Sequence, residues 1–209
     1  MRKIVARARK VAAYQRSKQV VQKLLQRKVV KLDVGCGTDY KKGWINIDNN
    51  SDGNIEKLDL NWDLRYPLPF PEESVDFIFN EHFMEHLTVE EGIRANQDFL
   101  RILKKGGVLR VATPDLESVV DRYLHVPLSE DTIIRDFNYT DVKTPAEWMN
   151  MSFSFWGHKW LYDWEEIERR LKEAGFTKIK RRNINKSSYS ELQNLETRVG
   201  TSLIVEAQK

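Results

Sequence analysis

Short apolar runs alternate with amphipathic segments through the middle of the chain. Runs of apolar, often β-branched residues that are typical of buried strands cover residues 29–34, 44–48, 75–79 and 108–112. Thr88-x-x-Glu91 is a capping-box pattern, which predicts a helix to about Lys105 that Gly106 and Gly107 end. Strands that alternate with helices predict a parallel α/β sheet, in which ligands bind at the carboxyl ends of the strands.

The remaining segments predict further elements around this sheet. A third strand is expected at residues 55–60, and the prolines at 67, 69 and 71 exclude helix or central strand just after it. Residues 183–200 form a long polar segment of the sequence, called the polar excursion below. The other elements that the pattern predicts are a helix and two strands, at residues 164–174, 176–182 and 202–206.

The N-terminal residues differ from the rest of the chain in charge. Residues 1–32 contain 11 Lys or Arg and no Asp or Glu, whereas the remainder has 34 − 11 = 23 basic and 31 acidic residues. Apolar positions in residues 1–28 have a helical period. We interpret 1–28 as a basic amphipathic helix, followed by one domain at 29–209. The helix packs on that domain or serves an anionic partner such as lipid headgroups, nucleic acid or a phosphorylated substrate.

Length and composition favour one soluble globular domain. A chain of 209 residues has room for one sizeable core, and no apolar run approaches the 18 residues that a membrane span needs. No apolar segment follows the first basic residues, which excludes a secretory signal, and a single cysteine suits a reducing compartment. The expected location is cytoplasmic, with peripheral attachment at the inner membrane face as a further hypothesis.

A glycine-rich turn ends the first strand of the predicted sheet. Gly35 and Gly37 permit a tight turn that a ligand approaches closely, and Asp48 at the end of the next strand is placed to accept hydrogen bonds from ribose hydroxyls. The third glycine of the dinucleotide fingerprint is replaced by Tyr40, and only 11 residues separate Gly37 from Asp48. A cofactor with a ribose and no phosphate is therefore favoured over NAD. The alternative is a glycine turn that binds nothing.

Five motifs together resemble the type 11 branch of class I S-adenosylmethionine-dependent methyltransferases. They are Asp-Val-Gly-Cys-Gly at 33–37, Pro-Leu-Pro-Phe-Pro at 67–71, Glu-His-Phe-Met-Glu-His-Leu at 81–87, Leu-Lys-Lys-Gly-Gly-Val at 103–108 and Pro-Asp at 114–115. The resemblance implies a Rossmann-like class I methyltransferase fold. Its sheet is seven-stranded and mostly parallel, with the last two strands as an antiparallel pair at one edge.

The resemblance also implies a binding site for S-adenosyl-L-methionine. In the family, the residue that matches Asp63 meets the adenine amine, and the one that matches Leu64 lies beside the ring. The residue that matches Asn80 lies beside the methionine part. The full set of cofactor-binding residues that we predict is Asp33, Gly35, Cys36, Gly37, Asp48, Asp63, Leu64, Asn80 and Glu81.

An aromatic-rich insertion at about residues 122–162 follows the matched region. Four of the six tryptophans lie between residues 148 and 164, which predicts either a lid over the substrate or a satellite hydrophobic cluster. Residues 157–163 and 203–209 resemble methyltransferases of sugar and cell-envelope biosynthesis. Small-molecule or lipid-linked saccharide acceptors are therefore the expected partners, and nucleic acid is less favoured.

The expected reaction is transfer of a methyl group to an acceptor oxygen, with His82 or His158 as the general base. The alternatives are an RNA methyltransferase and a regulatory protein that binds the cofactor without catalysis. His82-x-x-Glu85-His86 matches an inverted zinc-protease pattern, but the sequence offers no obvious further ligand. No metal is therefore predicted.

Overall fold

A seven-stranded sheet forms the centre of the computed structural model, which describes residues 17–131, 134, 139, 141–198 and 200–209. Its order is β3-β2-β1-β4-β5-β7-β6. The strands are β1 Lys31–Val34, β2 Ile45–Asp48, β3 Leu60–Asn61, β4 Val75–Glu81, β5 Leu103–Thr113, β6 Thr177–Arg182 and β7 Leu203–Gln208. Neighbouring strands from β3 to β5 pair in parallel, whereas β7 is antiparallel to both β5 and β6. The predicted fold, with its antiparallel pair at one edge, is confirmed.

Local sequence signals mark several of the helix ends. The helices are α1 at residues 17–24 of the described chain, α2 Val89–Ile102, α3 Leu116–His125, α4 Pro145–Ser154 and α5 Trp164–Ala174. At the start of α2 the amide of Glu91 donates to Thr88 Oγ1, and the amide of Thr88 donates to Glu91 Oε2. At the end of α5, Gly175 has φ +107°, which favours glycine.

Two predicted boundaries are wrong, and longer-range contacts explain both. β3 has only two residues because the Asn50 side chain hydrogen-bonds to both backbone groups of Ile55, which closes residues 50–55 into a loop. α2 ends at Ile102 rather than near Lys105. Leu103 already pairs with Val75 in β4, so β5 begins there.

The two faces of the sheet are covered differently. On one face, α2 and α5 bury apolar side chains against the strands, among them Phe99, Ile102, Ile167 and Leu171. On the other face, Leu192 and Leu195 pack against strand residues of a smaller cluster. The described part of the polar excursion therefore belongs to the fold, and Thr197, Arg198 and Thr201 lie beside the carboxyl end of β4.

The predicted N-terminal helix is partly described. α1 ends at residue 24 rather than at residue 28, and the first 16 residues of the prediction lie outside the described part. Val21 is buried in the main core, and Arg27 Nη1 donates to the carbonyl of Trp44 at 2.9 Å. Residues 21–27 thus belong to the domain. Among the described residues, no helix has the length and apolarity that crossing a membrane requires.

Candidate active site

The glycine turn lies at the carboxyl ends of β1 and β2. Gly35 and Gly37 have φ +76° and +56°, a backbone region that favours glycine. The amide of Gly35 donates to the carbonyl of Ile47 at 2.9 Å, and the amide of Gly37 donates to Asp48 Oδ2 at 2.7 Å. Asp48 therefore holds the turn, while its carboxylate has further lone pairs for hydroxyl donors.

Burial perturbs two side chains in and next to this turn. Asp33 is almost completely buried, and burial raises its pKa to about 7 against the opposing charge of Lys41. Its Oδ2 atom accepts no hydrogen bond and lies 3.7 Å from Lys41 Nζ. Burial also raises the pKa of the Cys36 thiol to about 12, and the Asp33 and Asp48 charges act in the same direction. Cys36 is thus a neutral packing group rather than a nucleophile.

A narrow crevice continues from the turn towards the loop that follows β3. Val34, Leu64 and Phe83 contribute to its lining, and its volume is about 20 Å³. The Phe83 ring covers Gly35 so closely that a Cβ atom there would lie 2.8 Å from Phe83 Cδ2. Asp63 sits in the adjoining loop, where its carboxylate binds the Arg65 guanidinium at 2.7 Å.

Two predicted site residues at the end of β4 have different surroundings. Asn80 is fully buried, and neither side-chain amide atom has a hydrogen-bond partner among the described residues. The Glu81 carboxylate accepts hydrogen bonds from the backbone of Thr197 and Arg198 and from the Thr201 hydroxyl. Its side chain therefore anchors the end of the polar excursion.

A cavity of about 460 Å³ opens beside these strand ends. Its walls come from the end of β4, the start of α3, the aromatic-rich insertion and the polar excursion. Among the residues that line it are His82, His86, Trp148, Trp156, His158 and Arg198. Arg198 Nη2 also donates to the carbonyl of Cys36 at 3.2 Å. This arginine therefore lies between the glycine turn and the cavity.

His82 sits in the cavity wall with a strained backbone. Its φ of +51° is uncommon for a residue with a side chain. Nδ1 lies 3.1 Å from Glu85 Oε1, and Nε2 lies 3.0 Å from Thr201 Oγ1. Glu85 is fully buried, and its other oxygen accepts a hydrogen bond from Thr113 Oγ1 at 3.0 Å. Burial acts to raise the pKa of Glu85, but the neighbouring His82 imidazole holds it below its usual range.

The other two cavity histidines face each other. The rings of His86 and His158 are 5.1 Å apart at an interplanar angle of 74°. His158 Nδ1 donates to the carbonyl of Ser152 at 2.8 Å, which leaves Nε2 as the acceptor nitrogen of the neutral ring. Burial lowers the pKa of His86 despite the nearby Glu85 carboxylate. Donor atoms of Glu85, His86 and His158 all lie within 4.8 Å of one another.

Several residues of this site were not predicted as functional. Glu85 was weighed only as part of a metal pattern, although its position three residues after His82 in a tight turn was a usable signal. Arg198 and Thr201 carry no motif. They reach the site because Glu81 accepts hydrogen bonds from the segment that contains them.

Residues 32–111 match the family model described as a methyltransferase domain. The whole fold is similar to a SAM-dependent methyltransferase from Archaeoglobus fulgidus, with 17% identity over 94% of each chain and a TM-score of 0.53. It is also similar to a SAM-dependent methyltransferase from Thermotoga maritima, with 17% identity over 99% of this chain and 96% of that one and a TM-score of 0.50. No curated protein matches the chain.

Proposed function

Because the chain is a class I S-adenosylmethionine-dependent methyltransferase of the type 11 branch, we propose that it methylates a hydroxyl oxygen of an acceptor bound in the cavity. The observation that carries the proposal is the placement of His82 between a buried carboxylate and a hydroxyl oxygen. The acceptor that we favour is a small molecule, a sugar or a lipid-linked saccharide.

The residues around the glycine turn fit the cofactor. The backbone at Gly35, Cys36 and Gly37 forms the turn, and Asp48 would accept hydrogen bonds from the ribose hydroxyls. The buried oxygen of Asp33 and the unpartnered amide of Asn80 are polar groups that the methionine part could satisfy. The crevice beside Leu64 has a volume of only about 20 Å³ and would have to widen to admit the adenine, with Asp63 in the adjoining loop; the Glu81 carboxylate anchors the backbone of Thr197 and Arg198 nearby. When bound, the cofactor supplies a methyl group on a positively charged sulfur.

His82 is the better placed of the two predicted bases. The Glu85 carboxylate next to Nδ1 favours a proton on that nitrogen, which leaves Nε2 to accept one. Thr201 Oγ1 lies 3.0 Å from Nε2 but donates its own proton to Glu81, so an acceptor hydroxyl would have to displace Thr201 before Nε2 could accept a proton. His82 would then accept the hydroxyl proton as the acceptor oxygen takes over the methyl group that the cofactor supplies. His158 stays the second candidate for this role.

The cavity walls support an acceptor with an extended apolar or ring surface. Trp148 and Trp156 line the cavity, and the buried Trp148 indole N–H has no hydrogen-bond partner among the described residues, so that it could donate to an acceptor oxygen. Phe153, Phe155 and Trp156 are about half exposed. Together with the basic N-terminal segment, these rings favour an acceptor at an anionic membrane surface on the cytoplasmic side over nucleic acid.

The test is methyl transfer by the full chain from isotopically labelled S-adenosylmethionine to a panel of nucleotide sugars, glycosides, polyprenyl-linked saccharides and RNA. Mass spectrometry and NMR of the product identify the methylated atom. We expect an O-methyl product, and His82→Ala should lower turnover by roughly 10²–10⁴-fold with unchanged cofactor affinity.

His125→Ala is the matched control, because His125 is exposed and lies outside the cavity wall. It should leave turnover unchanged. A methylated nitrogen, carbon or RNA product would contradict O-methylation of a small acceptor. Cofactor binding without transfer to any member of the panel would favour the regulatory alternative. Wild-type turnover in His82→Ala would transfer the base role to His158, for which His158→Ala is the corresponding variant.

A further inference from the structure

Three metal-ligating side chains meet in the cavity wall, although they come from two distant segments. Glu85 and His86 lie in the 3₁₀ turn Met84–His86 after β4, and His158 follows the 3₁₀ turn Phe155–Gly157. The backbone amides of Lys159 and Trp160 both donate to the carbonyl of Glu85, at 2.7 and 3.2 Å. These backbone bonds fix the two segments against each other and keep the three side chains together.

The donor atoms are arranged as a metal site requires. His158 donates Nδ1–H to a backbone carbonyl, which orients the ring and leaves the Nε2 lone pair free, as is usual for zinc-ligating histidines. The backbone of Gly157 lies beside the His86 ring, so that a Cβ atom on Gly157 would be 3.7 Å from His86 Nδ1. The three donors lie within 4.8 Å of one another, so a contraction of up to about 1.4 Å would bring them to tetrahedral spacing around one ion.

Glu85 supplies an independent observation that points to a ligand. Its side chain is completely buried, and Oε1 has no hydrogen bond of good geometry among the described residues, although His82 Nδ1 lies 3.1 Å away. The other oxygen is held by Thr113. A buried carboxylate oxygen without a hydrogen bond is costly unless a cation or donor satisfies it.

From this geometry we infer that Glu85, His86 and His158 bind a divalent transition-metal ion whose open coordination position faces the cavity. Two imidazoles and one carboxylate suit zinc or another borderline metal rather than Mg²⁺ or Ca²⁺, which prefer oxygen ligands. Three protein ligands and one open position are the pattern of a catalytic rather than a structural zinc site.

The catalytic consequence rests on the proposed function. An acceptor hydroxyl that binds the ion in the open position becomes more acidic, since a metal-bound oxygen loses its proton more readily than a free one. His82, in contact with the ligand Glu85, then receives that proton. The inference thus assigns His158 to metal binding and leaves the base role with His82.

The test is titration of the metal-free full chain with Zn²⁺ alone, followed by isothermal calorimetry and by competition with a chromophoric chelator. We expect one ion per chain with a Kd in the micromolar range or tighter. His86→Gln and His158→Gln should each weaken binding at least tenfold, whereas His125→Gln should not. Co²⁺ loaded in place of Zn²⁺ should give the visible absorption of a four- or five-coordinate ion, and His158→Gln should abolish it.

Thermal unfolding of each variant shows whether a loss of metal binding reflects a loss of fold, and Glu85→Gln provides a third ligand variant if one histidine variant does not fold. Binding weaker than millimolar, or binding that none of the three variants changes, would overturn the inference. Methyl transfer that continues at full rate in a chelator would overturn the catalytic consequence and leave the proposed function intact.

Discussion

At the scale of single residues, Asp33 is a buried carboxyl group whose ionisation lowers the free energy of unfolding. Burial raises its pKa to about 7, from 3.8 in the unfolded chain. The folded protein therefore holds this proton more tightly than the unfolded chain. The resulting stabilisation is complete below about pH 4 and is lost as the pH rises through 7.

Asp33→Asn should remove this pH dependence, because the amide is neutral throughout. Urea unfolding at intervals from pH 4 to 8 should show that the variant gains in free energy of unfolding relative to wild type as the pH rises. The gain is at most on the order of 4 kcal/mol, because the variant also loses the attraction between Asp33 and Lys41, which keeps its ion pair with Asp39. Asp52→Asn, in an exposed loop, is the matched control and should show no such trend. A difference between Asp33→Asn and wild type that is constant with pH would contradict the assignment.

The sequence predicts the site residues that belong to a local motif. It does not predict those that tertiary contacts bring to the site from distant parts of the chain. Gly35, Gly37 and Asp48 meet as expected because parallel neighbouring strands place their ends together. His158 joins His86 from 72 residues further along the chain, through backbone bonds to Glu85. No spacing rule indicates a contact of that kind.

At the scale of secondary-structure elements, Arg110 fixes the polar excursion to the sheet. It is completely buried in β5, with Nε 2.6 Å from Glu196 Oε1 and Nη1 2.7 Å from Glu206 Oε1. Its guanidinium also donates to the carbonyl of Lys186 at 3.0 Å. The pairing is bidentate towards Glu196, a geometry that lysine does not reproduce.

Arg110→Met should destabilise the protein by about 3–5 kcal/mol, because it leaves the Glu196 carboxylate buried without its cation. Urea unfolding measures the loss. Arg169→Met is the control, since Arg169 is about half exposed in α5 and water screens its ion pairs there. A loss in Arg110→Met as small as the control's would show that the buried network contributes little.

The sequence predicts most elements and misses the boundaries that distant contacts decide. β1, β2, β4 and the helix α5 follow from apolar runs and caps, which are local. The end of α2 depends on the pairing of Leu103 with Val75, and the short β3 depends on the Asn50 side chain. The burial of Arg110 was not predicted either, since a charged residue in an apolar run indicates nothing about its partners.

At the scale of the whole molecule, the charge of the chain is concentrated at its N-terminus. Residues 1–16 contain six Lys or Arg and no Asp or Glu. Residues 21–27 belong to the domain, as the burial of Val21 and the bond from Arg27 to Trp44 show. We therefore assign the hypothesis of an anionic partner to residues 1–16, which lie outside the described part of the chain, rather than to 1–28.

Deletion of residues 1–16 should leave the thermal midpoint and the affinity for S-adenosylhomocysteine nearly unchanged. It should weaken binding to vesicles that contain anionic lipid at least tenfold at low salt, because each basic residue near such a surface contributes about 1 kcal/mol. Vesicle flotation at low and high salt, with neutral vesicles alongside, measures the effect.

Deletion of residues 1–28 should instead unfold the domain, since it removes Val21 from the core. Equal vesicle binding by the full chain and the chain without 1–16 would refute the membrane hypothesis, and a loss of RNA binding alone would favour the nucleic-acid alternative.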